Sequence, residues 1–353
     1  MPKEIEAFSV GHESERLIGL DLVRASEAAA LHAFRWIGKG DKIAADEAAT
    51  DAIRGMLNLI DMSAICTIGE GIKDEAPGIF VGEKLGTWKP GSPAVSIALD
   101  PIDGTTLTSK GLPGALSVIA AAQAESPDDP ALATVPTYYM DKIAVGPKVK
   151  EGTGQIRFDV PVEQNLELIA LKLGKRVRDL MVCVLERTRH ADLIKQVRAT
   201  GAAIKQIGDG DVAGAIAPSM PDSGVDVYMG SGGSAEAVTA AAAIKCLGGE
   251  IMARMWPRDD EERAALAEQG FSDADYERVY SSEEMAQGDG ILFVATGITD
   301  NALLRGVRID GKTAVTHSVV MRSRSRTIRY ITAHHNMTRK TIRLHTEASD
   351  QRL

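Results

Sequence analysis

Asp100 and Asp103 stand three residues apart in Asp100-Pro101-Ile102-Asp103-Gly104-Thr105-Thr106, at the end of a short apolar run. Carboxylates held about 4 Å apart at an effective dielectric of about 20 repel by roughly 4 kcal/mol. A site that gathers several of them therefore needs cations to keep them ionised. Hard oxygen donors of this kind select magnesium or manganese over zinc. Val95-Ser96-Ile97-Ala98-Leu99 reads as a half-buried strand that delivers Asp100, and Pro101, having no N–H, is expected to end the ladder there. The plainer reading is a turn at a strand end, with Asp and Gly chosen for turn geometry alone.

Three further loops carry small and polar residues: Arg187-Thr188-Arg189-His190, Gly208-Asp209-Gly210-Asp211 and Gly230-Ser231-Gly232-Gly233-Ser234. Each follows an apolar run, and in open α/β sheets ligands bind outside the carboxyl ends of strands, against helix N-termini. Together they read as a cradle for phosphate and hydroxyl groups. Arg187 and Arg189 can meet a phosphate in bidentate fashion. Asp209 and Asp211 repel phosphate and suit sugar hydroxyls better. Glu236, in the first turn of the next helix, either favours the helix dipole or ligates a metal. His190 reads more simply as a helix-cap histidine.

The elements that must position these residues change character along the chain. Apolar residues at helical spacing run from about Ser14 to Ile37 and stop at Gly38 and Gly40; Asp41 can cap a second helix from about Ile43 to Ile60, with Asp46 in its first turn. Short strands, Ala64 to Ile68 and the one ending at Asp100, follow, so the first part reads as α+β. From about Gln123 to Asn165 the chain is rich in Pro, Gly and Asp and reads as surface loops. Strands and helices then alternate: Leu180 to Leu185, Ala203 to Ile207 and Val225 to Met229 each precede a helix, the last from about Ala235 to Leu247. Later strands are Ile291 to Ala295, Thr313 to Val320 and Thr327 to Thr332. An α/β half with helices on both sheet faces is expected, with the boundary near Gly174, giving domains 1–174 and 175–353.

Composition narrows the partners. A net charge of −9 over 353 residues argues against nonspecific binding to nucleic acid or membrane surface. There is no apolar run of the length a membrane span requires. The beginning, Met1-Pro2-Lys3-Glu4-Ile5-Glu6, lacks the apolar core of a secretory signal, and Cys66, Cys183 and Cys246 form no metal-ligand spacing or disulfide framework. A cytoplasmic protein acting on a small molecule is expected. The basic residues Arg322, Arg324, Arg326, Arg329, Arg339, Lys340 and Arg343 read as the charges of a solvated edge strand.

Taken in order, Asp41-Lys42 with Asp46, Gly69-Glu70-Gly71, Asp74-Glu75-Ala76-Pro77, Gly82-Glu83, Asp100 to Thr105, Tyr139-Met140-Asp141-Lys142, Arg189-His190, Asp209 to Ala213, Met220 to Ser223, Gly232 to Glu236, Ala295 to Thr299 and Ser325 to Arg329 resemble one family. It is the class II fructose-1,6-bisphosphatases, within the lithium-sensitive, metal-dependent sugar phosphatases. The resemblance spans nearly the whole chain and implies a layered fold of alternating α and β layers. It implies hydrolysis of the 1-phosphate of fructose-1,6-bisphosphate with two or more Mg²⁺ or Mn²⁺ ions, in a homodimer or homotetramer. By the same resemblance Asp46, Glu70, Asp100, Asp103 and Glu236 ligate the metals, and Gly104 and Thr105 adjoin the scissile phosphate, with Thr105, Asp100 and Glu70 serving the chemistry. Tyr139, Arg187, Thr188, Arg189, Asp209, Gly210, Asp211 and Gly233 line the sugar phosphate. Two departures stand out: Ile72 and Lys73 follow Gly71 where the family has a further acid, and Asp103 stands where Glu is common. Alternatives are a sedoheptulose-1,7-bisphosphatase, an inositol- or nucleotide-phosphate phosphatase, and a non-catalytic sugar-phosphate sensor.

Overall fold

The computed structural model describes residues 11–69, 79–151, 156–346 and 351–352. Glu70, Gly71, Asp74 to Pro77 and the loop Gly152-Thr153-Gly154 therefore lie outside the described residues, as does the beginning of the chain. The strands that build the sheets are β1 (Ser63–Ile68), β2 (Lys84–Leu85), β3 (Ala94–Asp103), β4 (Leu116–Gln123), β5 (Tyr139–Val145), β6 (Met181–Leu185), β7 (Ala203–Ile207), β8 (Val227–Gly233), β9 (Glu250–Met255), β10 (Val279–Tyr280), β11 (Ile291–Gly297), β12 (Arg308–Asp310), β13 (Thr313–Arg322) and β14 (Thr327–Asn336). The helices up to the centre of the molecule are α1 (Gly11–Phe34), α2 (Lys42–Leu57), α3 (Thr105–Lys110), α4 (Pro147–Lys150), α5 (Val162–Leu173), α6 (Ala191–Ala199), α7 (Asp211–Ile216) and α8 (Ser234–Leu247).

These elements stack as five alternating layers. Helices α1 and α2 cover one face of a first sheet ordered β12-β13-β11-β4-β3-β1-β2, with β14 added beside β13. Helices α7 and α8 fill the space between that sheet and a second one, ordered β10-β9-β5-β8-β6-β7, and α5 and α6 close its far face. Helix α8 is buried along most of its length and built largely of alanine, as suits a helix sandwiched between two sheets, with Glu236 in its first turn and Lys245 in its last. Asp41 caps α2 as expected, its carboxylate accepting the Ala44 N–H at 2.9 Å. No helix among the described residues is long and apolar enough to cross a membrane.

Sheet membership does not follow the division near Gly174. Strand β5 precedes it yet joins the second sheet, and β11 to β14 follow it yet return to the first. The reason is burial: β11, Ile-Leu-Phe-Val-Ala-Thr-Gly, is buried along its whole length and takes a central place between β4 and β13. The second sheet is parallel only across β8, β6 and β7; β5, β9 and β10 run antiparallel. Strand β14, which carries Arg329, is an edge that pairs among the described residues with β13 alone, whereas Arg322 ends the interior strand β13 and Lys340 is largely covered, 3.9 Å from Glu27.

Strand β3 corrects the expectation at Pro101. The ladder to β4 does not stop at Asp100 but resumes at Asp103, where three steps along β3 match two along β4. This bulge skips the proline that cannot donate, and the Asp100 carboxylate takes the next N–H, that of Ile102, at 2.9 Å. The extra residue also reverses the alternation of side chains. Leu99 and Ile102 thus both pack toward α1 and α2, while Ala98 packs toward α8. Asp100 and Asp103, in step with Ala98, come onto the same inward face.

Candidate functional site

The bulge aims Asp103 at the layer between the sheets, where it is 2% exposed. The loop after β7 closes over it: Val212 N–H donates to Asp103 Oδ2 at 3.2 Å, and Gly210 lies against the Asp103 backbone. Gly210 has φ +67°, and a Cβ there would stand 3.2 Å from the Asp103 carbonyl oxygen. Burial, and then the negative charges of Asp211, Glu236 and Asp209, push the Asp103 carboxyl well above the usual carboxylate range, with Lys142 opposing. Four acids from β3, α8 and the loop leading into α7 thus share one region.

Their compensation within the protein is partial. Lys142 of β5 is buried and donates to Asp211 Oδ2 at 2.7 Å, and the Tyr228 hydroxyl donates to the same oxygen at 2.8 Å. Asp211 is thereby engaged inside the protein, so the sugar hydroxyl expected for its side chain has no free partner there on that oxygen. Glu236, in the first turn of α8, folds back over Gly233; its Oε2 is buried with no hydrogen-bond partner among the described residues. A buried acceptor left this way costs about 1–3 kcal/mol unless something pairs with it. Asp46 lies on α2, which packs against β3 and α3, and one of its oxygens is buried. Among the described residues no three His, Cys, Asp or Glu side chains already stand at metal-ligating spacing. The expected set includes Glu70, outside those residues. The donor chemistry, hard carboxylates with a cation deficit, fits a divalent hard metal.

Gly104, with φ +103°, turns the chain from β3 into α3 and sets Thr105 and Thr106 at the start of that helix. The Thr106 N–H donates to Asp209 Oδ2 at 3.0 Å, and Asp209 Oδ1 accepts from Arg187 at 2.5 Å. Arg187 also donates to the carbonyls of Glu186 and Gly208. It therefore ties the Gly208–Asp211 loop to the β6 end. The Thr105 hydroxyl has no hydrogen bond among the described residues. Thr188, between Arg187 and Arg189 in the chain, is exposed.

Arg189 is held differently. Its Nε and one terminal nitrogen donate to Ser231 Oγ and O at 2.8 and 2.9 Å, and its guanidinium carbon lies 5.0 Å from the Tyr139 ring centre. His190 occupies the N-cap position of α6 as expected, but its buried side chain makes no capping bond: Nδ1 donates to the Leu185 carbonyl at 2.7 Å, and Nε2 accepts the Ser231 N–H at 2.8 Å. Burial lowers its pKa, which keeps the ring neutral in that role. Trp256 stands outside every motif of the sequence, and the sequence assigns no separate role to Lys142 or to Ser231, the latter being only one residue of the Gly230–Ser234 cradle. Lys142 ends the Tyr139-Met140-Asp141-Lys142 motif, and its place on a strand between apolar Met140 and Ala144 is the signal that it points inward. An adjoining cavity of about 420 Å³ shares Asp209 and Gly210 with the site, and its wall mixes apolar Leu107 and Val225 with Lys205, Gln206, Asp300 and Asn301.

Residues 16–335 match the family model described as bacterial fructose-1,6-bisphosphatase, glpX-encoded. The chain is 44% identical over 330 residues to the class 2 fructose-1,6-bisphosphatase of Haemophilus influenzae, covering 91% of this chain and 96% of that one. It is 39% identical over 340 residues to the D-fructose 1,6-bisphosphatase class 2/sedoheptulose 1,7-bisphosphatase of Synechococcus sp. strain JA-3-3Ab, covering 90% and 95%. A protein of the same description from strain JA-2-3B'a(2-13) is 38% identical over 340 residues, again covering 90% and 95%. With the family model spanning most of its length and relatives matched nearly end to end, the chain belongs to the class 2 fructose-1,6-bisphosphatases, a family of metal-dependent sugar-bisphosphate hydrolases.

Proposed function

We propose that this chain hydrolyses the 1-phosphate of fructose-1,6-bisphosphate to fructose 6-phosphate and inorganic phosphate, as a cytoplasmic enzyme of gluconeogenesis using two or more Mg²⁺ or Mn²⁺ ions. The observation that carries the reading is the burial of Asp103 among Asp209, Asp211 and Glu236 with too few cations to balance them. Asp46, Glu70, Asp100, Asp103 and Glu236 are the residues that would hold the metals. When bound, such ions neutralise phosphoryl oxygens, acidify the attacking water and stabilise the leaving alkoxide.

The chain's own residues supply position. Water attacks phosphorus, the bond from phosphorus to the C1 oxygen breaks, and the departing alkoxide takes up a proton. Thr105, whose hydroxyl is uncommitted, orients that water. Asp209, fixed by the Thr106 N–H and by Arg187, holds the turn that presents it. Arg189 takes the phosphate that stays, and Tyr139 lies along it. Phosphoryl transfer asks for little more than positioning and charge neutralisation.

The test is phosphate release by Asp100→Asn and Glu236→Gln proteins at saturating metal, after circular dichroism has verified folding. A loss of at least about a hundredfold supports the assignment, as for removal of a group that stabilises transition-state charge; near-normal turnover by both rejects it. The two Synechococcus relatives carry both bisphosphatase names, which supports sedoheptulose-1,7-bisphosphate as a second substrate. Parallel assays with the two sugars decide its weight.

A further inference from the structure

We infer that Trp256 is a positioning residue for the uncleaved phosphate, acting by fixing the guanidinium of Arg189. Trp256 directly follows β9, and its N–H donates to the Tyr139 carbonyl at 3.0 Å, so the β5–β9 ladder fixes both residues side by side. Their rings meet edge to face, with centres 6.0 Å apart and planes at 75°. The guanidinium carbon of Arg189 lies 5.0 Å from the Tyr139 centre and 5.8 Å from the Trp256 centre, so one cation serves two aromatic rings.

The hydrogen bonds show what this arrangement preserves. An arginine has five N–H donors, and Arg189 uses two of them on Ser231, leaving three. Ser231 is itself fixed by His190, which anchors to the Leu185 carbonyl. No carboxylate pairs with Arg189 among the described residues. Arg187 contrasts with it on each count, being bound to Asp209 and to two carbonyls. Arg189 is thus the arginine whose charge and remaining donors are available for bidentate contact with phosphate. A long side chain in that role loses rotamer freedom on binding, and the two rings remove part of that freedom beforehand.

This inference rests on the bisphosphate reading only in its kinetic arm. Trp256→Ala is expected to raise KM for fructose-1,6-bisphosphate about tenfold with a smaller change in kcat, the size of a partly desolvated cation–π contact. Trp256→Phe should recover most of the loss. For phenyl phosphate, which has no second phosphate, kcat/KM should fall far less than for the bisphosphate. The second arm needs no turnover: in a Trp36→Phe/Trp88→Phe protein, Trp256 is the sole tryptophan and reports on Arg189. Fructose 6-phosphate should change its fluorescence saturably, and Arg189→Met should abolish that change. A KM unmoved by Trp256→Ala, an equal fall on both substrates, or fluorescence insensitive to fructose 6-phosphate would each overturn the inference. Absence of bisphosphate turnover together with an intact fluorescence response would instead count against the proposed reaction and leave the Trp256–Arg189 relation standing.

Discussion

The carboxylate of Glu236 lies directly over Gly233: a Cβ built on Gly233 would stand 1.9 Å from Oε2. The φ of Gly233 is −60°, which any residue can adopt, so its requirement is for space rather than for backbone freedom.

Gly233→Ala should therefore fold with a stability change below about 1 kcal/mol, because the clash falls on the far end of a flexible side chain. It should displace the Glu236 carboxylate and weaken divalent-metal binding by about 10- to 100-fold, the loss typical when a ligand's support is disturbed. Isothermal titration with Mn²⁺, alongside thermal melts of the metal-free protein, checks both halves of the prediction.

Lys142 is 1% exposed and pairs with Asp211, which is 3% exposed. Lys142→Met strips a buried cation from a region of four acids and should destabilise the fold by about 3–5 kcal/mol, the cost of leaving one partner of a buried pair unpaired. Adding Asp211→Asn should recover part of it. Urea unfolding of the single and double variants measures the coupling; equal midpoints for wild type and Lys142→Met would contradict the pairing.

Arg187 and Asp209 form a strut from the β6 end to the Thr105–Thr106 turn. Arg187→Ala should lower kcat by about 10- to 100-fold while raising KM less, since positioning errors near the reacting atoms of this order have that effect. Steady-state kinetics beside Arg189→Ala, where the larger effect falls on KM, separates the two arginines.

Much of this arrangement was legible from residue types alone. Asp100, the arginine loop and the strand-to-loop transitions were visible because each follows a short apolar run, whereas Asp46 and Glu236 stand on helices. The bulge at Asp100–Asp103 was not, because whether a proline ends a ladder or is skipped depends on the partner strand, β4. The fate of Asp211 was hidden for the same reason: Lys142 and Tyr228 reach it from two other strands. Return of β11 to the first sheet is a long-range pairing that its uniformly apolar sequence permits but does not specify.

Stability should depend on His32 as acid is added. Burial lowers its pKa from 6.5 to about 4, so between those values the unfolded chain binds a proton that the folded chain refuses. Its contribution is fully present above pH 6.5 and is lost as pH falls toward 4, at up to about 1.4 kcal/mol per pH unit. Glu27 and Asp103, whose pKa values are raised, act in the opposite sense. The informative quantity is therefore the difference between wild type and His32→Leu, followed by thermal midpoint from pH 7 to pH 4. That difference should shift in favour of the variant as pH falls; a constant difference would contradict the burial effect.

The central claim is that carboxylates from β3, α2, α8 and the Glu70 segment act with divalent metal on the 1-phosphate of a sugar bisphosphate. Phosphorus NMR of fructose-1,6-bisphosphate incubated with the protein, with and without Mn²⁺, tests it most directly, with Glu236→Gln in parallel. The account predicts fructose 6-phosphate and inorganic phosphate from the wild type only when metal is present, and almost none from the variant. Fructose 1-phosphate as the product, or equal turnover by the variant at saturating metal, would contradict it.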